Sequence, residues 1–321
     1  MTAFIPKYEA LAVHRLMLRD EVRIETFQRA IKDNVSAGDV VIDYGAGTGI
    51  LSVFAVQAGA SRVYAIERTG IIDIARQVAE ANQVEDRIIF IPEPAETAEL
   101  PEKADVLVSE WLGAFAVQEN MLPGLLTLRD RWLKPDGLML PNHIDLFLTA
   151  IDSDSFEETW RGLDDYDHGV DLSPVSDASV HEIYTSEISA EEQVSDAKRM
   201  GSLDLAGISD PKINFGVALH IKRKAMVNGL SGWFVARFPG GVELKTGPDA
   251  ATTHWQQCVF PICPGIVVER GDRLGVDLTG TPDGDVVRFC WEVGVEGTDL
   301  KQTHDTGRAD FAPRAGNHGG R

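Results

Sequence analysis

Cysteine is scarce in this sequence. The 321 residues include three, Cys258, Cys263 and Cys290, none in a Cys-x-x-Cys spacing. That argues against a disulfide framework and against structural zinc, and no metal site is expected. No apolar run approaches the roughly 18 uninterrupted residues of a membrane span. The opening stretch, MTAFIPKYEALAVHR, lacks the basic-then-apolar layout of a signal peptide, so the expected location is cytoplasmic, with no membrane partner. Positive charge is short too: 30 Lys and Arg stand against 50 Asp and Glu, a formal net charge of −20. Such a surface repels phosphate backbones, so nucleic acid is not an expected partner. The same charge keeps a protein soluble or draws a cationic substrate towards it, and charge alone leaves both open. There is no internal repeat and no low-complexity tract.

What is present is an ordinary soluble composition, 44% hydrophobic and 25% charged, long enough for one large domain or two modest ones. After a mostly helical stretch over 8–31, the first half alternates strand-like and helix-like segments. Strands are expected at 40–44, 62–66, 88–91 and 104–109, and helices at 50–60, 69–82 and 116–132, with Lys134–Gly137 as a turn. That pattern specifies a parallel sheet with crossover helices. After Leu140-Pro141-Asn142 it changes to β runs separated by Gly, Pro and Asp, at 215–222, 232–238, 255–261, 273–279 and 286–295. The expected architecture is a Rossmann-like α/β domain over 1–141 followed by a β-barrel or sandwich domain over 142–321. An acidic segment without clear strands, 153–210, reads as a lid or interaction element. The chain from Thr303 onward reads as a mobile tail.

Asp43-Tyr44-Gly45-Ala46-Gly47-Thr48-Gly49 follows the first strand and opens a helix. Glycines there allow a tight turn and a close backbone approach to a ligand. Their spacing departs from the G-x-G-x-x-G dinucleotide fingerprint. Glu67 closes the second strand, where a carboxylate accepts both hydroxyls of a ribose. Glu96 stands just beyond the third, in reach of an adenine amino group. Turn, ribose acid and third-strand acid together describe a pocket for S-adenosyl-L-methionine, hence a class I methyltransferase domain.

The fourth strand runs into Ser109-Glu110-Trp111-Leu112-Gly113, with Glu119 nine residues beyond Glu110. Two carboxylates at the carboxyl end of a parallel sheet repel each other unless a cation lies between them. By spacing alone they also read as two unrelated acids on a solvated loop. The Ser-Glu-Trp-Leu-Gly segment with Glu119, Gly45–Ser52 (GAGTGILS), Met17–Arg23 (MLRDEVR) and Thr253-His254-Trp255 together resemble the protein arginine methyltransferase family, over about residues 4–295. The resemblance implies that Glu110 and Glu119 grip an arginine guanidinium, and that Asp20 and His254 form a carboxylate–imidazole pair that orients the site and accepts a proton. It also implies that Arg23 pairs with the methionine carboxylate of the cofactor, and that Tyr8, Met17, Met121 and Trp255 belong to the substrate pocket. The 154–171 stretch resembles the family's dimerisation arm, with Phe156, Trp160 and Tyr166 as its apolar contacts, so a homodimer is expected. Three departures from the family pattern stand out: Phe4 where a tyrosine is usual, Pro6 in the opening helix, and Ala114 in place of a bulky aromatic. They leave open an arginine-containing protein or peptide, free arginine or a similar guanidine metabolite, another cationic small molecule, and a cofactor-binding dimer without catalysis.

Overall fold

The structure is a computed structural model of the chain, and it describes residues 10–161 and 169–308. The sequence pattern predicts one helical stretch at the start. The structure divides it into α1 (Leu11–Arg19) and α2 (Glu21–Asn34). The break is at Asp20, which is extended and whose carboxylate accepts the Arg23 backbone N–H at 3.0 Å, capping α2. Five strands then form a sheet: β1 (Val40–Tyr44), β2 (Arg62–Ile66), β3 (Ile88–Ile91), β4 (Ala104–Val108) and β5 (Leu133–Leu140). All their pairings are parallel, in the order β3-β2-β1-β4-β5. Helices α3 (Ile50–Ala58), α4 (Ile72–Ala81) and α5 (Leu122–Trp132) connect β1 to β2, β2 to β3 and β4 to β5, and a loop joins β3 to β4. Strand order reverses between β1 and β4, the crevice where open α/β sheets bind ligands.

The structure departs from two local expectations. The helix expected from Ala116 begins at Leu122, because Val117–Glu119 forms a separate 3₁₀ turn and Asn120 is left-handed (φ 51°). Lys134–Gly137 lies within β5, where the register against β4 slips between Ala104 and Val106. The extra residues bulge out of the ladder instead of ending the strand.

The rest of the described chain comprises β6 (His143–Ile151), α6 (Asp154–Arg161), α7 (Ser173–Ser179), β7 (Tyr184–Ser186), β8 (Lys198–Asp204), β9 (Ile213–His220), β10 (Ala225–Arg237), β11 (Glu243–Lys245), β12 (Gln257–Val268), β13 (Arg273–Asp283), β14 (Val286–Val295) and β15 (Lys301–Asp305). They form two antiparallel sheets, β7-β12-β10-β6-β8 with β11 on β10, and β15-β14-β13-β9. Among its described residues the 153–210 segment therefore holds two helices and two edge strands. Strand β8 buries only Met200 and Leu203, too faint an alternation to read from sequence. The expected tail is shorter than predicted, since Thr303–Asp305 belong to β15; residues 309–321 lie outside the described residues.

Aromatic rings fill the space where the two halves meet. Phe115 packs edge-on against Phe260 (5.4 Å) and Phe289 (6.2 Å), and Phe260 against Trp291 (5.4 Å). Gly232 makes room for Phe115, since a Cβ there would lie 2.7 Å from its ring. Phe156, expected as a dimer contact, is instead 2% exposed and packs inside the chain on Tyr184 at 5.8 Å. It anchors α6 to the antiparallel half. The Trp160 side chain and Tyr166 lie outside the described residues. Among the described residues no helix is long and apolar enough to cross a membrane.

Candidate active site

The glycine turn leaves β1 with three glycines at positive φ: Gly45 (71°), Gly47 (53°) and Gly49 (80°). These are conformations that L side chains resist. Space matters as much as angle. A Cβ on Gly45 would meet Met121 at 2.7 Å, and one on Gly47 would meet the His14 ring at 3.2 Å. Gly49 is the N-cap of α3, so that helix presents its unpaired N–H groups at the turn. Glu67, at the end of β2, accepts Gly47 N–H at 3.0 Å and Thr69 N–H at 2.8 Å. The expected ribose acid is thus held against the glycine turn by two backbone donors.

Asp43 lies beneath them, fully buried. Its Oδ2 accepts the Ser52 hydroxyl at 2.6 Å, and its Oδ1 has no partner among the described residues. Burial raises its carboxyl to about 6, against the lowering effect of Ser52. A buried acceptor left open in the crevice, beside a glycine cradle with no room for side chains, suits a ligand bearing a cationic ammonium and a ribose. Those features fit S-adenosylmethionine. Glu96 is exposed beyond β3, and its backbone carbonyl accepts from Arg131.

The hairpin after β4 carries the two glutamates. Gly113 and Ala116 exchange both backbone hydrogen bonds (2.8 and 2.9 Å), so Glu110 and Glu119 stand on opposite legs of one tight turn. Gly113 lets the legs close, because a Cβ on it would lie 3.2 Å from Glu119 Cγ. Phe115 at the tip plugs into the aromatic cluster, and Asn120 donates to the Gly284 carbonyl at 2.7 Å. Trp255 is 4% exposed, and its indole N–H donates to the Leu112 carbonyl. It braces this loop from behind, and its ring lies 4.1 Å from that of His254.

Two side chains assigned to different ligands meet at Glu110. Arg23 Nε and Nη2 lie 2.8 and 2.7 Å from Glu110 Oε2, with the two side chains only 8% and 5% exposed. Glu110 Oε1 accepts the Leu112 N–H at 3.1 Å. A carboxylate has about four lone-pair sites, so this count leaves capacity on Oε1 for one further donor.

Asp20 links the helices to the second half of the chain. Its Oδ2 accepts both the His254 backbone N–H (2.8 Å) and its Nδ1 (2.7 Å). Burial alone would raise the Asp20 carboxyl, but hydrogen bonds from the His254 side chain and from the Arg23 and His254 backbones hold it below its ordinary value. An ionised carboxylate only accepts, so the proton of a neutral His254 sits on Nδ1 and Nε2 is its basic nitrogen.

Met17 and Met121 are half-buried. Met17 receives Arg23 Nη1 at its carbonyl (3.4 Å), and Met121 packs on Gly45. Tyr8, Phe4 and Pro6 lie outside the described residues. His14 was not anticipated from sequence. It is 6% exposed on α1, packed on Gly47, and the signal was its position three residues before Met17 on one helix face.

Comparison with known proteins agrees with this arrangement. A family model described as the arginine methyltransferase oligomerization subdomain matches residues 143–289, and one described as ribosomal protein L11 methyltransferase matches residues 25–138. Protein arginine N-methyltransferase 6 of Xenopus laevis is 36% identical over 293 residues, spanning 86% of this chain and 85% of the relative. Protein arginine N-methyltransferase PRMT10 of Oryza sativa subsp. japonica is 34% identical, over 85% and 81%. Among solved structures, the Trypanosoma brucei PRMT1 enzyme–prozyme heterotetrameric complex with AdoHcy superposes with a TM-score of 0.84 at 27% identity, over 94% of this chain and 99% of that one. Arabidopsis thaliana protein arginine methyltransferase 10 gives 0.80 at 26%, over 93% and 99%. The chain belongs to the protein arginine N-methyltransferase family and is an S-adenosylmethionine-dependent arginine N-methyltransferase.

Proposed function

We propose that the acceptor is an arginine side chain of a protein, gripped by Glu110 and Glu119, and that the enzyme works as a cytoplasmic homodimer. The observation that carries the residue assignment is the meeting of Arg23, Glu110, Asp20 and His254 at the β1–β4 crevice. When bound, S-adenosylmethionine supplies a methyl group on a sulfonium, an electrophile that needs no metal or redox step. Gly45, Gly47, Gly49, Asp43 and Glu67 would hold it, with Glu96 at the adenine end and His14 behind the turn. The chain's own task is orientation. A guanidinium is always protonated and a weak nucleophile. Paired charge-assisted hydrogen bonds donated by its N–H groups to two carboxylates fix its plane and draw positive charge to the nitrogens so held. The remaining nitrogen is left aligned for in-line attack, which accounts for much of the acceleration. Arg23 locks the rotamer of Glu110 through two N–H groups. His254 Nε2, with Asp20 behind it, is available to receive the proton released as the C–N bond forms.

The relatives named above are described as protein arginine methyltransferases, which favours a protein acceptor over free arginine. The assembled Asp20–His254 and Arg23–Glu110 pairs oppose a silent scaffold. Two separate apolar surfaces support the dimer. Leu11, Leu16 and Leu18, spread around α1, are 51%, 56% and 38% exposed, and Val170 just before α7 and Val175 within it are 62% and 46% exposed. Reciprocal docking of each arm on the other subunit's α1 would cover both. The three free cysteines suit a reducing compartment.

The test is methyl transfer from labelled S-adenosylmethionine, run in parallel on an arginine-rich peptide and on free L-arginine. Label is expected on the peptide guanidinium. Glu110→Gln should lower turnover by about 100-fold while cofactor affinity stays near wild type. Label on free arginine alone would overturn the protein acceptor, and undiminished turnover by the variant would overturn the grip.

A further inference from the structure

We infer that Asn120 is a positioning residue for Glu119, and that the β13–β14 hairpin is the rigid support it works from. The inference rests on the assignment of Glu119 to the guanidinium grip and adds what holds that carboxylate in place. Glu110 and Glu119 are fixed in different ways. Glu110 lies two residues beyond β4, and Arg23 and the Leu112 N–H hold its carboxylate. Glu119 ends a single 3₁₀ turn, Val117–Glu119, and both residues flanking that turn have positive φ without being glycine.

On the entry side, Ala116 (φ 50°, ψ −77°) is the centre of a γ-turn of the strained kind, closed by the Val117 N–H on the Phe115 carbonyl at 2.6 Å. On the exit side, Asn120 (φ 51°, ψ 29°) is left-handed, a conformation that asparagine tolerates better than most residues. One short turn between two disfavoured conformations does not hold itself. It persists only where surrounding contacts over-determine it.

The β13–β14 hairpin supplies such contacts at both ends. Before the turn, Phe115 packs edge-on against Phe289 of β14 at 6.2 Å. After it, Asn120 Nδ2 donates to the carbonyl of Gly284, at the tip of the same hairpin, at 2.7 Å. The amide oxygen of Asn120 is shut away from solvent with no partner among the described residues, so the side chain is lodged in the junction. The support is stiff. β13 and β14 pair without a register break from Leu274 and Val295 to Asp283 and Val286, and the two-residue loop Gly284-Asp285 closes them. That loop also meets the cofactor side, where Asp285 pairs at 3.0 Å with Arg68, the residue after Glu67. Both partners are exposed, so the pair adds little stability, but the tip bridges the loop after β2 and the loop after β4. Glu119 thus owes its position to a bond between residues 164 apart in the chain. Without that bond the turn is free to relax, and a shift of about 1 Å in a group that orients a reactant costs much of the rate.

The experiment measures single-turnover methyl transfer from labelled S-adenosylmethionine to an arginine-rich peptide, using the full chain. The variants are Asn120→Gly, Asn120→Asp, Glu119→Gln, and Asn120→Gly combined with Glu119→Gln. Glycine keeps the left-handed backbone and removes the amide; aspartate keeps the shape but turns an acceptor towards the Gly284 carbonyl. Each single change at Asn120 should slow transfer about tenfold, with cofactor affinity by calorimetry and melting temperature near wild type. In the Glu119→Gln background, Asn120→Gly should cost less than about twofold, because the carboxylate it positions is already gone. An equal loss in both backgrounds, wild-type rates in both Asn120 variants, or a collapse of melting temperature in both would each overturn the positioning role while the grip stands. Undiminished transfer by Glu119→Gln would overturn the grip itself, and the positioning role with it.

Discussion

At the scale of single residues, Asp20 carries the most. One oxygen caps α2 through the Arg23 N–H, and the other holds His254 by its backbone and its ring. These functions can be separated. Asparagine caps helices about as well as aspartate, but its neutral amide has one accepting oxygen for two sets of donors. Asp20→Asn should therefore melt within a few degrees of wild type yet lose at least about tenfold in kcat. Asp20→Ala should lose that activity and, in addition, about 1 kcal/mol of stability with the cap. Wild-type kcat in Asp20→Asn would refute the pairing as a working part. The folded carboxyl lies below its unfolded value. Its stabilisation is thus complete above that unfolded value of 3.8 and disappears only as pH falls through the lower folded one. A loss of activity nearer neutrality must come from another group. Asp20 was legible in sequence only through its company in MLRDEVR. The Arg23–Glu110 pair was not legible at all, because 87 residues separate the partners and only the sheet crossover joins them.

At the scale of elements, local patterns are legible where one stretch decides its own state. The buried run of β1, its glycine turn and the alternation of β14 are all in this class. They are not legible where neighbours decide. β7 and β8 are edge strands in a polar segment, and the 3₁₀ turn at Val117–Glu119 exists because Phe115 is pulled into the aromatic cluster. The junction of β15 with the arm is a further case with a measurable consequence. His304 on β15 is 3% exposed, stacks on Trp291 at 5.3 Å, faces the His181 ring at 5.8 Å, and has no hydrogen-bond partner on either nitrogen among the described residues. Burial first, then the charges of His181 and Arg308, lower it to about 4. His181 is lowered by burial and Arg308, opposed by Asp305 and Asp177. A depressed histidine favours folding in its neutral form. Its contribution is complete above the unfolded value of 6.5 and is lost as pH falls from there towards 4, on the order of 2–3 kcal/mol in all. His304→Phe keeps the stack and removes the titration. Its melting temperature should hold between pH 7 and 4.5 better than that of wild type, and parallel declines would show that His304 does not titrate as argued.

At the scale of the whole molecule, an acidic chain of net charge −20 gathers its reactive groups where its two halves meet. Trp255 and Phe115 press the glutamate hairpin against the antiparallel half, and Asp20 reaches across to His254. The site therefore depends on how firmly α1 and α2 are held, and α1 has only one side packed within the chain. Its side opposite the buried His14 exposes the apolar Leu16, while His14 itself touches the glycine turn. A partner covering that face would fix both the cofactor turn and Asp20, so assembly and catalysis should fail together. Deleting the arm is a poor test, since Phe156 and Asn228 tie α6 to β10 within one chain. Leu16→Glu is cleaner, because it alters a side chain already more than half exposed. The variant should sediment as a monomer at micromolar concentration, melt within a few degrees of the value that wild type shows when diluted, and bind the cofactor at least about tenfold more weakly. A persistent dimer would place the interface elsewhere. A monomer with wild-type cofactor affinity would keep the interface but deny that it supports the site.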